Sequence, residues 1–186
     1  MSEPLPPSLV ALETMLRRDP RIGQSTLLLV VGAEQQLWRL PREGGASCWP
    51  VSTAREGFGN RSGSHRTPTG LHRVGEKIGA GSPPGTVFRG RHPTGEVVSP
   101  GHYPEQDLIT TRILWLEGLE PGVNLGGEVD SRARYIYIHG TPEEALIGRP
   151  VSHGCIRMRN EDIVTLFEEV EVGTPVYILA SPPPQG

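Results

Sequence analysis

Val151-Ser152-His153-Gly154-Cys155-Ile156-Arg157-Met158 places a thiol directly after a histidine–glycine pair, and Tyr135-Ile136-Tyr137-Ile138-His139-Gly140 sets a second imidazole sixteen residues upstream of it. The β-branched and aromatic run Tyr135–Ile138 reads as a strand, which Gly140 is expected to break. That puts His139 at a strand end on the rim of a sheet, facing a cysteine carried by a loop. A thiolate is the nucleophile, whereas a free cysteine has a pKa of about 8.5. An adjacent base must therefore take its proton or stabilise its charge, and His139 is the candidate base for Cys155.

The neighbours of the thiol fit the same chemistry. Gly154 allows backbone conformations closed to other residues, so the N–H groups of His153–Cys155 are expected to converge as an oxyanion hole. Ser152 is placed to hydrogen-bond His153 and hold its ring. Arg157, two residues past the thiol, shares its face in an extended segment and is available to a carboxylate. With no Asp or Asn in an obvious triad position, the Gly140 carbonyl is the candidate to orient His139. Two other readings use the same residues. Cys155 fits a buried structural thiol, although a structural role does not call for the flanking histidine, glycine and arginine. His139, His153 and Cys155 also have the chemistry of three zinc ligands with an open position, although no C-x-x-C or H-E-x-x-H accompanies them.

These residues resemble the catalytic segment of the YkuD-type L,D-transpeptidase family, which pairs an upstream H-G with S-H-G-C-[IV]-R. The match is Ser152, His153, Gly154, Cys155, Ile156 and Arg157, with His139 and Gly140 at the family's spacing. Thr67-Pro68-Thr69-Gly70 is similar to the family's T-P-x-G turn, and the order of features from Ser25 to Leu179 follows the family pattern over roughly four-fifths of the chain. The pattern of short strand signals and turns favours a mainly β fold, a sandwich or partly closed barrel with two or three short helices, which agrees with the fold that the resemblance implies. The resemblance also implies cysteine-dependent acyl transfer on peptidoglycan tetrapeptide stems. Cys155 would attack the amide between the L-centre of the diamino acid and terminal D-alanine, pass through a thioester, and be open to acylation by carbapenems. No cofactor or metal is implied.

Composition agrees with one ordinary domain. The chain has 186 residues, 24 glycines, 19 prolines and a formal net charge of −3. The high share of Gly and Pro points to turns rather than long helices. There is no basic run or nucleic-acid motif, and no apolar stretch approaches the ~18 residues of a membrane span. Nucleic acid and membrane are therefore not expected as partners, and the partners that the resemblance implies are stem peptides or muropeptides. Two cysteines make no disulfide framework, and Cys48 is expected to pack in a strand. Met1-Ser2-Glu3-Pro4-Leu5-Pro6-Pro7 has neither the charged nor the apolar region of a secretory signal. A cytoplasmic location is expected for the chain as given, with the periplasm or cell wall expected if an export signal is missing. A cytoplasmic member would meet recycled muropeptides, which favours L,D-carboxypeptidase hydrolysis over 3–3 crosslinking or D-amino-acid exchange. A non-catalytic muropeptide sensor is the reading from another class, and it predicts an unreactive Cys155.

The expected organisation is a helical extension over residues 1–24, a catalytic domain over 25–180 and a disordered tail over 181–186. Ser8 is expected to cap a helix with Leu9, Leu12, Met15 and Leu16 on its packed face. Strands are expected at Thr26–Val31 (buried on both faces), Gln36–Leu40, Cys48–Ser52, Leu71–Val74, Leu108–Leu116 and Thr174–Leu179. Residues 53–66 and Ile78–Gln106 read as loops, the latter as cleft walls, and the loop histidines His65, His92 and His102 read as solvated or locally bonded. Asn160 is expected to cap a second helix whose Ile163, Leu166, Phe167 and Val170 form one core-facing stripe.

Overall fold

The apolar run at Leu27–Val31 becomes β1, with all five residues buried. Its side chains alternate between two cores. Leu28 and Val30 join one cluster with Leu114, Ile138, Ile156 and Phe167, while Leu27, Leu29 and Val31 join a second with Leu9, Leu12 and Trp38. A strand buried on both faces must lie inside the sheet, and here helices cover it from either side.

The computed structural model describes residues 3–101 and 107–184. Helix α1 (Pro7–Leu16) is followed by β1, β2 (Gln36–Leu40), β3 (Ser47–Pro50), β4 (Gly70–Ile78), β5 (Thr86–Arg89), β6 (His92–Val97) and β7 (Ile109–Gly118). Then come β8 (Tyr137–Gly140), β9 (Ile156–Met158), α2 (Asn160–Glu169) and β10 (Pro175–Leu179), with 3₁₀ turns at Gly127–Val129 and Glu144–Leu146. The strands form a single curled sheet, a partly closed barrel, running β3-β2-β1-β10-β4-β7. Along β7, β4 and then β5 occupy one edge, and β8 pairs with the other: Ile113 faces both Ile78 and His139, and Thr110 faces both Val87 and Gly140. Strand β9 lies parallel beyond β8. This branch carries the motif out of the main sheet. The mainly β architecture expected from the sequence is the one observed.

Several local expectations are corrected. Helix α1 begins on Pro7 with no side-chain cap, so Ser8 is not its cap, and Met15 is 53% exposed rather than on the packed face. Proline at the first helical position needs no N–H partner and is already set at a helical φ. Asn160 is not a cap but the first residue of α2, and its amide is a buried junction. Its Oδ1 accepts from the Thr110 and Thr111 hydroxyls, and its Nδ2 donates to the Thr141 carbonyl and the Glu144 carboxylate. The Ile163, Leu166, Phe167 and Val170 stripe does pack into the core. The stretch read as loop from Ile78 holds the β5–β6 hairpin, turned by Gly90 (φ +52°) and Arg91 (φ +67°). Two central residues with positive φ make a type I′ turn. The fully exposed β6 forms a sheet edge, where Pro93 removes no needed ladder bond. Residues 102–106 of that expected loop, His102 included, and the last two residues of the expected tail lie outside the described residues.

Candidate active site

Register places the motif residues on one face. β8 and β9 pair Ile138 with Ile156 and His139 with Arg157. Registered neighbours share a face and successive residues alternate, so Tyr137, His139, Cys155 and Arg157 project together, while Ile138, Ile156 and Met158 fill the core under α2. Strand β8 starts at Tyr137, not at Tyr135, and runs through Gly140 rather than ending before it. Gly140 serves close packing instead. A Cβ there would sit 2.6 Å from the Thr110 carbonyl and 2.7 Å from Asn160 Oδ1.

Cys155 is half-buried against Phe88, Ile113 and Tyr137. Its sulfur accepts from the Tyr137 N–H and donates to the Tyr135 carbonyl, each at 3.4 Å. Tyr135 has φ +56°, which non-glycine residues seldom adopt, and its carbonyl faces the thiol. Burial pushes the thiol up to about 11, offset in part by the Tyr137 N–H and by Arg157 and Arg134. His139 is 2% exposed, and its Nδ1 lies 2.6 Å from the Gly140 carbonyl, the orienting contact anticipated from the sequence. A carbonyl only accepts, so Nδ1 holds the proton and Nε2 is left with a lone pair. Burial lowers the His139 pKa, against an opposing pull from Asp107. The electrostatics therefore favour a neutral thiol and a neutral imidazole at rest.

Arg157 is buried and ion-paired on both sides, to Asp107 at 2.8 Å and Glu143 at 3.1 Å. Asp107, which carried no motif signal, also accepts from His153 Nδ1 at 3.2 Å. Burial would raise its carboxyl, but the combined charges and hydrogen bonds of His139, Arg157 and His153 hold it below the ordinary carboxylate value. His153 is thus held by Asp107 and not by Ser152. The Ser152 hydroxyl turns back on its own loop, donating to the Cys155 carbonyl and accepting from the Gly154 N–H. That N–H is consequently not aimed outward, which corrects the expectation of three convergent donors. Gly154 itself sits at φ +134°, a region suited to glycine.

The surrounding loops clamp the motif. Thr67, of the T-P-T-G turn, donates its hydroxyl to the Gly154 carbonyl at 3.0 Å and accepts from the Ala54 N–H at 2.9 Å. The backbone of Ser152 is bonded to Thr53 and Arg55. A cavity of about 220 Å³ opens at the thiol between His65, Arg134 and His153, and another of about 270 Å³ lies on the far side of His65 and His153. Cys48 sits half-buried in β3 away from both, and burial pushes its thiol to about 12. Among the described residues no group of three or more His, Cys, Asp or Glu is arranged to hold a metal, which leaves the zinc reading without a ligand set there.

Comparison with known proteins gives the arrangement its relatives. Probable L,D-transpeptidase YcfS of Escherichia coli K12 is 30% identical over 93% of this chain, which matches 48% of YcfS. Probable L,D-transpeptidase YbiS of the same strain is 55% identical over 49 residues, 26% of this chain and 16% of YbiS. The chain thus spans about half or less of the length of these relatives. In fold it is similar to an L,D-transpeptidase from Mycobacterium smegmatis, with a TM-score of 0.50 at 19% identity over 84% of this chain and 59% of that one. It is likewise similar to L,D-transpeptidase 3 from Mycobacterium tuberculosis carrying a faropenem-derived adduct, with a TM-score of 0.51 at 18% identity over 83% and 60%. The family model for the YkuD L,D-transpeptidase catalytic domain matches residues 25–178, and it is to this family that the chain belongs.

Proposed function

We propose that Cys155 accepts an acyl group from peptidoglycan tetrapeptide stems at the amide joining the L-centre of the diamino acid to terminal D-alanine. The observation that carries this reading is the shared face of β8 and β9. It puts Cys155, opposite Tyr137, on the same face as a His139 whose Nε2 keeps its lone pair because Nδ1–H bonds the Gly140 carbonyl. His139 takes the thiol proton as sulfur attacks the carbonyl, and backbone N–H groups of the motif other than that of Gly154 hold the oxyanion. His139 returns the proton to the departing D-alanine amine, leaving a thioester on Cys155. Formation of the imidazolium is favoured by the nearby carboxylate of Asp107, the charge that pulls His139 upward.

The acceptor decides the enzyme's name. Water gives an L,D-carboxypeptidase, the fate we assign to muropeptide substrates, because the cavity at the thiol opens past the exposed side chain of His153. The second cavity beyond His153 favours the other fate, in which the amine of a second stem or of a D-amino acid enters from the far side. Carbapenems, as strained acyl donors, are proposed to acylate the same sulfur. Mass spectrometry of disaccharide-tetrapeptide incubated with the protein, with and without D-methionine, separates the readings. Loss of one alanine supports hydrolysis, D-methionine exchange or dimer formation supports transfer, and no turnover overturns both in favour of a sensor.

A further inference from the structure

We propose that Arg91, at the tip of the β5–β6 hairpin, anchors a free carboxylate of the acyl-donor peptide beside Cys155. The proposal rests on the acyl-transfer reading above and adds to it the charge of the substrate and the residue that reads it. Three aromatic side chains stand next to the thiol. Tyr137 and Tyr135 provide its backbone partners, and Trp115 packs with Cys155 in the same small cluster. The Trp115 ring lies 5.9 Å from that of Tyr135 and 5.8 Å, edge-on, from that of Tyr137.

Two guanidinium groups lie on this aromatic shelf, and their partners differ. Arg132 stacks 3.9 Å from the Trp115 ring centre, and its charge is met by Glu117 at 2.9 Å and Glu76 at 3.6 Å. Arg91 sits 4.6 Å from the Trp115 centre and 5.2 Å from that of Tyr135, and donates to the Tyr137 hydroxyl at 3.2 Å. Among the described residues it forms no salt bridge. Glu76 attracts the Arg91 charge without forming an ion pair with it, so stacking on flat rings and one phenolic hydrogen bond orient the guanidinium plane and leave it no carboxylate in contact. Its remaining N–H donors are suited to bidentate capture of a carboxylate.

Position makes this selective for substrate. The type I′ turn extends Arg91 over the shelf from a two-residue loop, and Phe88, at the base of the same hairpin, packs against the cluster that holds Cys155. An anion held by Arg91 therefore lies within a short peptide of the sulfur. Two carboxylates of a tetrapeptide stem meet that description, the side-chain carboxylate of the diamino acid and the C-terminal carboxylate of D-alanine, and the same fork recognises either.

The test compares wild type and Arg91→Met on three tetrapeptides: unmodified, amidated at the diamino-acid side-chain carboxylate, and amidated at the C-terminal D-alanine. Wild type is expected to lose at least about tenfold in kcat/KM on amidation of the carboxylate that Arg91 holds, a single charged hydrogen-bonded contact. Arg91→Met is expected to be insensitive to that amidation, and the peptide showing the pattern names the carboxylate. Equal amidation effects in both proteins overturn the proposal. Alkylation of Cys155 tests the anchor without any peptide. The iodoacetate-to-iodoacetamide rate ratio at Cys155 is expected to fall several-fold in Arg91→Met, and an unchanged ratio overturns the proposal. Absence of turnover on all three peptides would count against the acyl-transfer reading alone, since the alkylation ratio still reports on Arg91.

Discussion

A thiol pushed up to about 11 is almost entirely protonated at neutral pH, with about one molecule in ten thousand as thiolate. On the proposed mechanism, reactivity at pH 7 comes from proton transfer to His139, whose neutral form persists to below its ordinary value because burial disfavours the cation. The sign of the pH dependence follows. As pH rises through the lowered His139 pKa the base becomes available, and the rate of alkylation of Cys155 by iodoacetamide should level off until direct ionisation takes over near pH 11. In His139→Ala the plateau should disappear, leaving a rate that climbs about tenfold per pH unit; a plateau of equal height in that variant would show that His139 is not the base. The candidate nucleophile Cys155, the candidate base His139 and the Gly140 carbonyl that its ring meets were legible because they stand in one short pattern at fixed spacing. Asp107, Arg134 and Arg91 were not. Each is a lone charged residue in a turn or loop, and only the pairing of β8 with β9 and the bend of the β5–β6 hairpin bring them to the thiol.

Strand β8 works as a support because it is held tightly on both edges. Gly140 approaches the Thr110 carbonyl and Asn160 so closely that Gly140→Ala must displace backbone. We expect a loss of about 1–3 kcal/mol, the range for overpacking a dense interior, measured by urea unfolding. A neutral result would mean that β7 and β8 are looser than they stand here. Elements with strong periodicity were readable in advance. β1 has a continuous apolar run, and α2 has its i, i+3, i+4, i+7 stripe, so burial fixes them with little help from context. The β5–β6 hairpin lacked both. Its turn is Gly-Arg rather than Asn-Gly, and β6 is exposed throughout and contains Pro93 and Gly95. An edge strand of this kind is set by its ladder to β5, which no local pattern reveals. The cap expected at Asn160 failed for a related reason. Its amide is claimed by Thr110 and Thr111 from a distant strand, and such tertiary bonds override a local capping preference.

The whole molecule carries a pH dependence separate from catalysis. His72 is fully buried in β4, donating from Nδ1 to the Gly70 carbonyl and accepting on Nε2 from the Ser131 hydroxyl. Burial lowers its pKa to about 4, against a weaker upward pull from the Gly70 carbonyl. The unfolded imidazole titrates near 6.5. Between these values the unfolded chain binds a proton that the folded chain refuses. The stability is thus fully present above about pH 6.5 and is lost as pH falls toward about 4, at up to about 1.4 kcal/mol per unit. Thermal unfolding across this window should therefore fall less steeply in His72→Gln than in wild type, and parallel curves would remove His72 as the cause. The mainly β class was legible at this scale from turn-rich composition and short strand signals, whereas the curl of one sheet, with β8 and β9 branching from β7, was not, because it depends on which edges pair. The same branching puts Cys155 and His139 on one face, and a covalent acyl intermediate is proposed to form there on the sulfur. Intact-protein mass spectrometry after brief mixing with disaccharide-tetrapeptide and acid quench tests it most directly. Wild type should gain the mass of the disaccharide-tripeptide acyl group on Cys155 and Cys155→Ala should gain nothing, whereas release of alanine by Cys155→Ala at the wild-type rate would contradict it.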